Sequence, residues 1–586
     1  MKCDPHASTI FKVVAFVIVV CHSACLGINA WRLSPTSDEY GHFYAGLRLL
    51  SDGDTSIFSV NPPLIRGMAA APAMLAGIRS EPPVSQSLGD RPEFDAGRRL
   101  FRDDPILFQR ALFGGRLLCS LFSVVGLISL LGIMRLYAGP TAALVVGCIW
   151  AFHPGIVSHG SLITNDVPVT VCMGLASASF LYWLKSTNLQ TTMSLSFLFT
   201  LALLCKFSAL ILVPLFLAFS LATPARCLVD RATSALLVVT ISMAFFCAVY
   251  GFQGMWRPLG SYAFISPGLR GEVGIDQIAG NRFLGTVAEK FLIPFPENAL
   301  TGMDIQVRDF ETGTPSFVAG RRGGAWWFYF YAMLVKFPMG FLIAVACAAV
   351  HCLTRAGQLG FPEIFSVTLV YMFSLVLVFT DAVGQQHRYV FPVVPFCLAL
   401  VAHAYANSGC WIRRLLIFSA VLTMIEFGIA APHWLASFNA LAGGRLNGHR
   451  HLFNDATDWG QDLFRLATYS NECTDDYDVF VTSRVLSEDN LRAVGLSDSV
   501  YYAESAVSFL SGWRPDGFKS SAMDRPSLLI FSKTEVGFDP VLLELIDQGQ
   551  SVKDLWGSHL SVVVDGVVTT KGPPNELSIL RHDVLD

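Results

Sequence analysis

The residues best placed to do chemistry come early in the chain. The stretch TSDEYGHFYAG (Thr36 to Gly46) sets Asp38 and Glu39 side by side, with His42 one helical turn further on. Thr36 and Glu39 have the S/T-x-x-E spacing of a capping box, so Glu39 has an alternative task as a helix cap. Asp38 falls in the first turn, where a helix N-terminus favours an anion. Asp38 also lies only seven residues after Trp31, the end of a long apolar run, so the carboxylate belongs at a membrane surface. A carboxylate partly shielded from water there suits general base catalysis. A second acid, Asp166 in HPGIVSHGSLITNDVPV, precedes another apolar run, with helix N-cap as its structural alternative and Pro168 in the first turn.

Basic residues complete the set. Arg388 in QQHRYVFPVVP and Arg116 in ALFGGRLLCS stand at the mouths of apolar runs, where a guanidinium either grips a phosphate through paired donors or snorkels to lipid head groups. His387, next to Arg388, and His42, on the Asp38 face, are the candidate imidazole contacts. Lys336 sits about ten residues into an apolar run opened by Trp327, and charges at such depth are functional candidates by default. Glu426, inside the last apolar run, shares that status.

The elements that must hold these groups are membrane helices. Of 586 residues 53% are hydrophobic and only 15% charged, with a mean hydropathy of +0.50. Soluble domains carry about 25% charged residues. The net charge of −4 argues against nucleic-acid binding. Fourteen cysteines lie mostly in apolar runs and show no zinc or disulfide spacing. Runs near 13–31, 117–137, 140–160, 167–184, 233–252, 327–350, 362–380, 389–406 and 415–432 are long enough to span a bilayer of about 20 residues per helix. The apolar region 193–222 is interrupted by Lys206 and Pro214 and reads as two helices meeting at Lys206. That gives about 11 spans and gathers Arg135, Lys185, Arg355, Arg413 and Arg414 on the N-terminal side, which the positive-inside rule makes cytoplasmic.

The expected fold is therefore an α-helical polytopic membrane protein, residues 1–432, with a small α/β tail, 433–586, outside the cytoplasm. The first outer loop (32–116), the loop 153–166, the long loop 253–326, the loop 381–388 and the tail then share the outer face. The tail alternates strands (Asp478 to Val481, Ser527 to Phe531, Leu560 to Val564) with a helical pattern at Asp539 to Gln548.

Taken in order, the DE pair after the first span, NPPL (Asn61 to Leu64), ALFGGRLLCSLFSVVGL, the second Asp, CKFSALILVP, QHRYVFPVVP, RRGGAWWFYFYAMLVKFP, PHWLASFNALAGG and NDATDWGQDL resemble the GT-C glycosyltransferases that use polyprenyl-phosphate sugars. Protein O-mannosyltransferases and bacterial aminoarabinose transferases of lipid A, glycosyltransferase family 39-like proteins, are the most similar groups. The resemblance covers roughly 10–465. It implies an inner-membrane enzyme that transfers a sugar from a lipid-phosphate carrier to a hydroxyl on a protein, lipid or glycan acceptor, inverting the anomeric centre. By this resemblance Asp38 is the base, Glu39 its acidic neighbour and Asp166 the second acidic position. Arg116 and Arg388 lie near the carrier phosphate. Relatives often carry a charge just before PPL, where this chain has Asn61, and D-S-N before the DWGQDL position, where it has NDAT. No metal ligand set and no cofactor are expected, although the acids are compatible with a divalent ion. The competing class is a transporter or flippase, which the concentration of polar groups on one face disfavours.

Overall fold

The computed structural model describes residues 5–83, 89–223, 228–272, 277–312, 316–379, 386–503, 505–510, 525–538, 542 and 553–564. Helix α1 (Pro5–Arg32) leads through four residues into α2 (Ser37–Asp52), followed by α3 (Pro63–Leu75) and α4 (Pro92–Asp103). The capping box at Thr36 starts α2, and Gly53, at φ 70°, ends it by returning its N–H to the Leu49 carbonyl. Two glycines allow α3 and α4 to pack tightly on α2. A Cβ on Gly46 would stand 2.0 Å from the Arg66 carbonyl oxygen, and one on Gly97 2.2 Å from that of Tyr40. These short helices are amphipathic, as expected for pieces lying along an interface.

Next come α5 (Pro105–Ala138), α6 (Pro140–Ala151), α7 (Pro154–Gly160), α8 (Asp166–Lys185), α9 (Leu189–Cys205), α10 (Leu212–Ala222) and α11 (Leu228–Val249). The chain breaks at Lys206 as the sequence leads one to expect. Lys206 is extended (φ −160°, ψ 141°), and the Asn165 side-chain amide donates to the Cys205 carbonyl left free at the end of α9. The long loop holds α12 (Pro267–Arg270) and α13 (Glu297–Thr312). Two two-stranded ribbons accompany them: β1 (Arg257–Pro258) with β2 (Leu292–Ile293), and β3 (Phe317–Val318) with β4 (Arg321–Arg322).

The run expected as one span over 327–350 is instead two helices, α14 (Phe328–Lys336) and α15 (Met339–Thr354). Pro338 forces Phe337 into an extended conformation (ψ 145°), so the helix cannot continue. The carbonyls this frees are occupied: Asn439 donates through its side chain to Leu334 and Phe337, and through its backbone to Val335. Then α16 (Phe361–Val378), a 3-10 turn (His387–Val393), α17 (Val394–Asn407) and α18 (Cys410–Ala430) complete the helical part.

Among the described residues, six helical segments are long and apolar enough to cross a membrane: those in α1, α5, α8, α11 and α16, and His387–Asn407. A seventh arises if α6 and α7, bent by 61° to each other, count as one. Three shorter apolar helices, Leu189–Cys205, Phe207–Ala222 and Met339–Thr354, account for part of the difference from the expected eleven. A run of apolar residues does not reveal the break at Pro338.

The tail forms one mixed five-stranded sheet in the order β6 (Tyr501–Tyr502), β5 (Asp478–Thr482), β7 (Ser527–Ser532), β9 (His559–Val564), β8 (Lys553–Leu555). β5 runs parallel to β6 and β7, and β9 antiparallel to β7 and β8. The three expected strands are present. The helical pattern expected at 539–548 lies outside the described residues, apart from Leu542, as do residues 381–385 of the loop before Arg388. Between helices and sheet, 433–463 runs back under the start of α2: Trp459 and Gln461 carbonyls accept from Ser37 and Ser34 amides.

Candidate active site

Four parts of the chain meet at the start of α2. Arg388 is the centre, brought there by the 3-10 turn that Pro392 and Pro395 impose before α17. Its side chain is only 5% exposed. Arg388 Nη2 donates to Asp38 Oδ2 at 2.8 Å, Nε lies 3.2 Å from Asp166 Oδ2, and Asp455 Oδ2 is 3.8 Å away. The guanidinium lies 4.1 Å above the Trp459 ring. Nη1 is buried without a hydrogen-bond partner among the described residues. Asp166 also accepts from Lys206 Nζ at 2.6 Å, and that ammonium sits 4.2 Å over the Tyr389 ring.

Asp38 is the most exposed acid of the cluster, at 29% of its side chain. It opens onto a cavity of about 210 Å³ that also reaches His42, Asn61, Asp166, Lys206 and Arg388. Arg91 and Asp309, 3.6 Å apart, form another wall together with Gln306 and Phe310 of α13. His42 is buried, with Nδ1 unpartnered among the described residues and its ring edge-on to Phe58. Burial, then the nearby Arg66, Arg388, Arg91 and Lys206 charges, hold its imidazole well below the usual range, so it is neutral.

Asp38, Asp166, His42 and Arg388 are thus brought together. His387 lies behind Arg388: its Nδ1 is 3.3 Å from Asp455 Oδ2 and its Nε2 is 3.3 Å from His159 Nε2. Burial pushes the Asp455 carboxyl up, opposed by Arg388.

Glu39 and Arg116 stand apart from the cavity. Both side chains are fully buried and paired with each other, Nε to Oε1 at 2.8 Å and Nη2 to Oε2 at 2.5 Å. Arg116 spends its other donors on the carbonyls of Ala30, Leu33 and Ser34. Glu39 also accepts from the Thr36 amide and hydroxyl and the Ile163 amide. Burial alone would raise the Glu39 carboxyl, but Arg116 and these donors hold it below its usual range. The capping-box reading of Glu39 is correct, and Arg116 fastens α1, α2 and α5 rather than facing the cavity. Lys336 is likewise turned to structure. It donates to the Leu435 and Ala456 carbonyls at 2.9 and 2.8 Å, and lies over the Phe438 ring. Glu426 does not line the cavity either.

Sequence reading missed Lys206 as a site residue, noting it only as a helix break. It also missed Asp455, Trp459, Arg91 and Asp309. A lysine inside 30 apolar residues and an acid beside DWGQDL were the available signals for the first two.

A larger cavity of about 750 Å³ lies between α5, α8, α16 and α17, away from these groups, with an apolar lining in which Lys185 and Glu363 are the charged residues.

Residues 106–251 match the family described as dolichyl-phosphate-mannose-protein mannosyltransferase. No curated protein matches the sequence. Among solved structures, the chain is similar to ArnT from Cupriavidus metallidurans bound to undecaprenyl phosphate, at 12% identity and TM-score 0.44, over 97% of this chain and 99% of that one. It is also similar to the S. cerevisiae protein O-mannosyltransferase Pmt1-Pmt2 complex bound to the sugar donor, at 16% identity and TM-score 0.30, over 47% and 38%. The Archaeoglobus fulgidus oligosaccharyltransferase complex with Zn and sulfate aligns at 10% identity and TM-score 0.40, over 89% and 68%. The matched segment carries Arg116, Asp166 and Lys206.

Proposed function

We propose that this protein transfers a sugar from a polyprenyl-phosphate carrier to a hydroxyl acceptor at the outer face of the inner membrane, with inversion and with Asp38 as general base. The observation that carries the reading is the Asp38–Arg388 pair at the cavity, with Arg388 buried and one of its donors unused. A carrier phosphate is a stronger bidentate partner for a guanidinium than a single carboxylate oxygen. When the phosphate takes Arg388, Asp38 is released from the pair to meet the acceptor hydroxyl at the moment the donor is in place. Asp38 then accepts the acceptor hydroxyl proton as that oxygen attacks the anomeric carbon. The bond to the phosphate oxygen breaks on the opposite face, and Arg388 and Lys206 stabilise the second negative charge left on the carrier. Neutral His42 offers a hydrogen bond to the sugar or the acceptor. Asp166 holds Arg388 and Lys206 at their working distance.

The test offers purified protein radiolabelled polyprenyl-phosphate sugars and measures carrier release. Asp38→Asn should lower turnover by about 10²–10⁴-fold while leaving folding and donor binding in place. Wild-type turnover in that variant would remove Asp38 from the chemistry. Movement of intact donor across a vesicle membrane without cleavage would favour the flippase reading.

A further inference from the structure

Behind Arg388, on the side away from the cavity, lies a cluster that the transfer chemistry does not use. His159 comes from α7, His387 from the 3-10 turn that carries Arg388, and Asp455 from the turn Asn454–Ala456 at the start of the tail. All three are buried, and one ligand atom of each lies within 4.8 Å of the other two. His159 Nε2 and His387 Nε2 are 3.3 Å apart. Two nitrogens bound at 2.0–2.1 Å to one tetrahedral zinc are separated by about 3.3 Å. Asp455 Oδ2 is buried without a hydrogen-bond partner among the described residues, and the nearest imidazole nitrogen given for it is His387 Nδ1 at 3.3 Å. A buried carboxylate oxygen without a donor is costly, and an ion held among the three side chains would supply its partner.

We infer that His159, His387 and Asp455 form a binding site for a transition-metal dication, zinc by donor type, with one imidazole nitrogen of each histidine and the Asp455 carboxylate as protein ligands. Two imidazoles and a carboxylate suit zinc better than the hard cations magnesium and calcium, which prefer oxygen. Two cations stand close by, and both are engaged. Arg388 is paired with Asp38 and Asp166, and Lys336 points its ammonium at the Leu435 and Ala456 carbonyls. The ion would join three segments far apart in sequence: the bend after α6, the entry to α17 and the first turn of the tail. Because His387 precedes Arg388, it would also fix the backbone that presents Arg388 to Asp38. His387 and its partners are thereby positioning residues.

The experiment uses the full chain purified in detergent and needs no substrate. Metal mass spectrometry of the wild type should give about one zinc per chain. Protein produced in cobalt-supplemented medium should show the visible absorption of tetrahedral cobalt. His159→Ala and Asp455→Asn should lose most of the metal and the cobalt bands, while His433→Gln, away from the cluster, keeps both. Monodisperse wild-type protein that carries no zinc, and takes up none on dialysis against zinc chloride, overturns the proposal even if every variant misfolds. Retention of full metal by monodisperse His159→Ala and Asp455→Asn overturns it equally.

Discussion

Arg388 and Asp38 are 350 residues apart in the chain and 2.8 Å apart in space. The pair joins the first helix after α1 to the entry of α17, and both residues face the same cavity. Asp166 and Asp455 approach the same guanidinium, so a single buried cation organises three acids from three segments.

Arg388→Lys keeps the charge but loses the planar fork that spans Asp38 and Asp166. Carrier release should fall by about tenfold to a hundredfold, one to two steps of 1.4 kcal/mol, with a raised KM for the lipid-linked donor. Steady-state kinetics with a fixed acceptor measures it, and unchanged kinetics would show that the fork is not needed.

Arg116 is expected to act on stability and not on the donor. Arg116→Met leaves Glu39 buried without its cation, and removing one partner of a buried pair costs about 3–5 kcal/mol. Thermal unfolding in detergent should register a large loss. A stable Arg116→Met protein with only a raised donor KM would return Arg116 to the substrate.

Acid should act through the same pair. The Glu39 carboxyl is held below its usual range in the folded protein, so its stabilisation is present above the ordinary carboxylate pKa and is lost as pH falls through the lower folded value. Unfolding midpoints should therefore hold to about pH 4 and drop below it. Glu39→Gln should unfold at lower temperature at neutral pH and lack that acid step. A wild-type midpoint independent of pH down to about pH 2 would contradict this.

Glu535 in the tail has the opposite sign. Burial, only partly offset by Arg484 and Thr482, raises its carboxyl to about 7. The folded state therefore binds the proton more tightly, and stability falls as pH rises from the ordinary carboxylate value towards about 7. Glu535→Gln should raise the unfolding midpoint at pH 8, where it removes a buried charge worth roughly 1–3 kcal/mol, and have little effect at pH 5. Equal shifts at both pH values would rule out the titration.

By itself the sequence determined that this is a membrane protein and named Asp38, Asp166, His42 and Arg388 as candidate groups. Apolar runs of bilayer length point to membrane helices, and Thr36-x-x-Glu39 carries its own cap because that contact spans three residues. Lys206 in an apolar run marked a break for the same local reason, since its cost in hydrocarbon does not depend on distant neighbours. Tertiary structure decided which charges are free. Glu39 and Arg116 look as reactive on paper as Asp38 and Arg388, yet the first two exhaust each other inside a dry contact among α1, α2 and α5. Lys336 is likewise taken by the Leu435 and Ala456 carbonyls of the chain that returns past it. Asp455 and Trp459 enter the picture only because 433–463 folds back beneath α2. Hydrogen-bond satisfaction is a long-range property, and it separates the acid that holds the fold from the acid that faces the cavity.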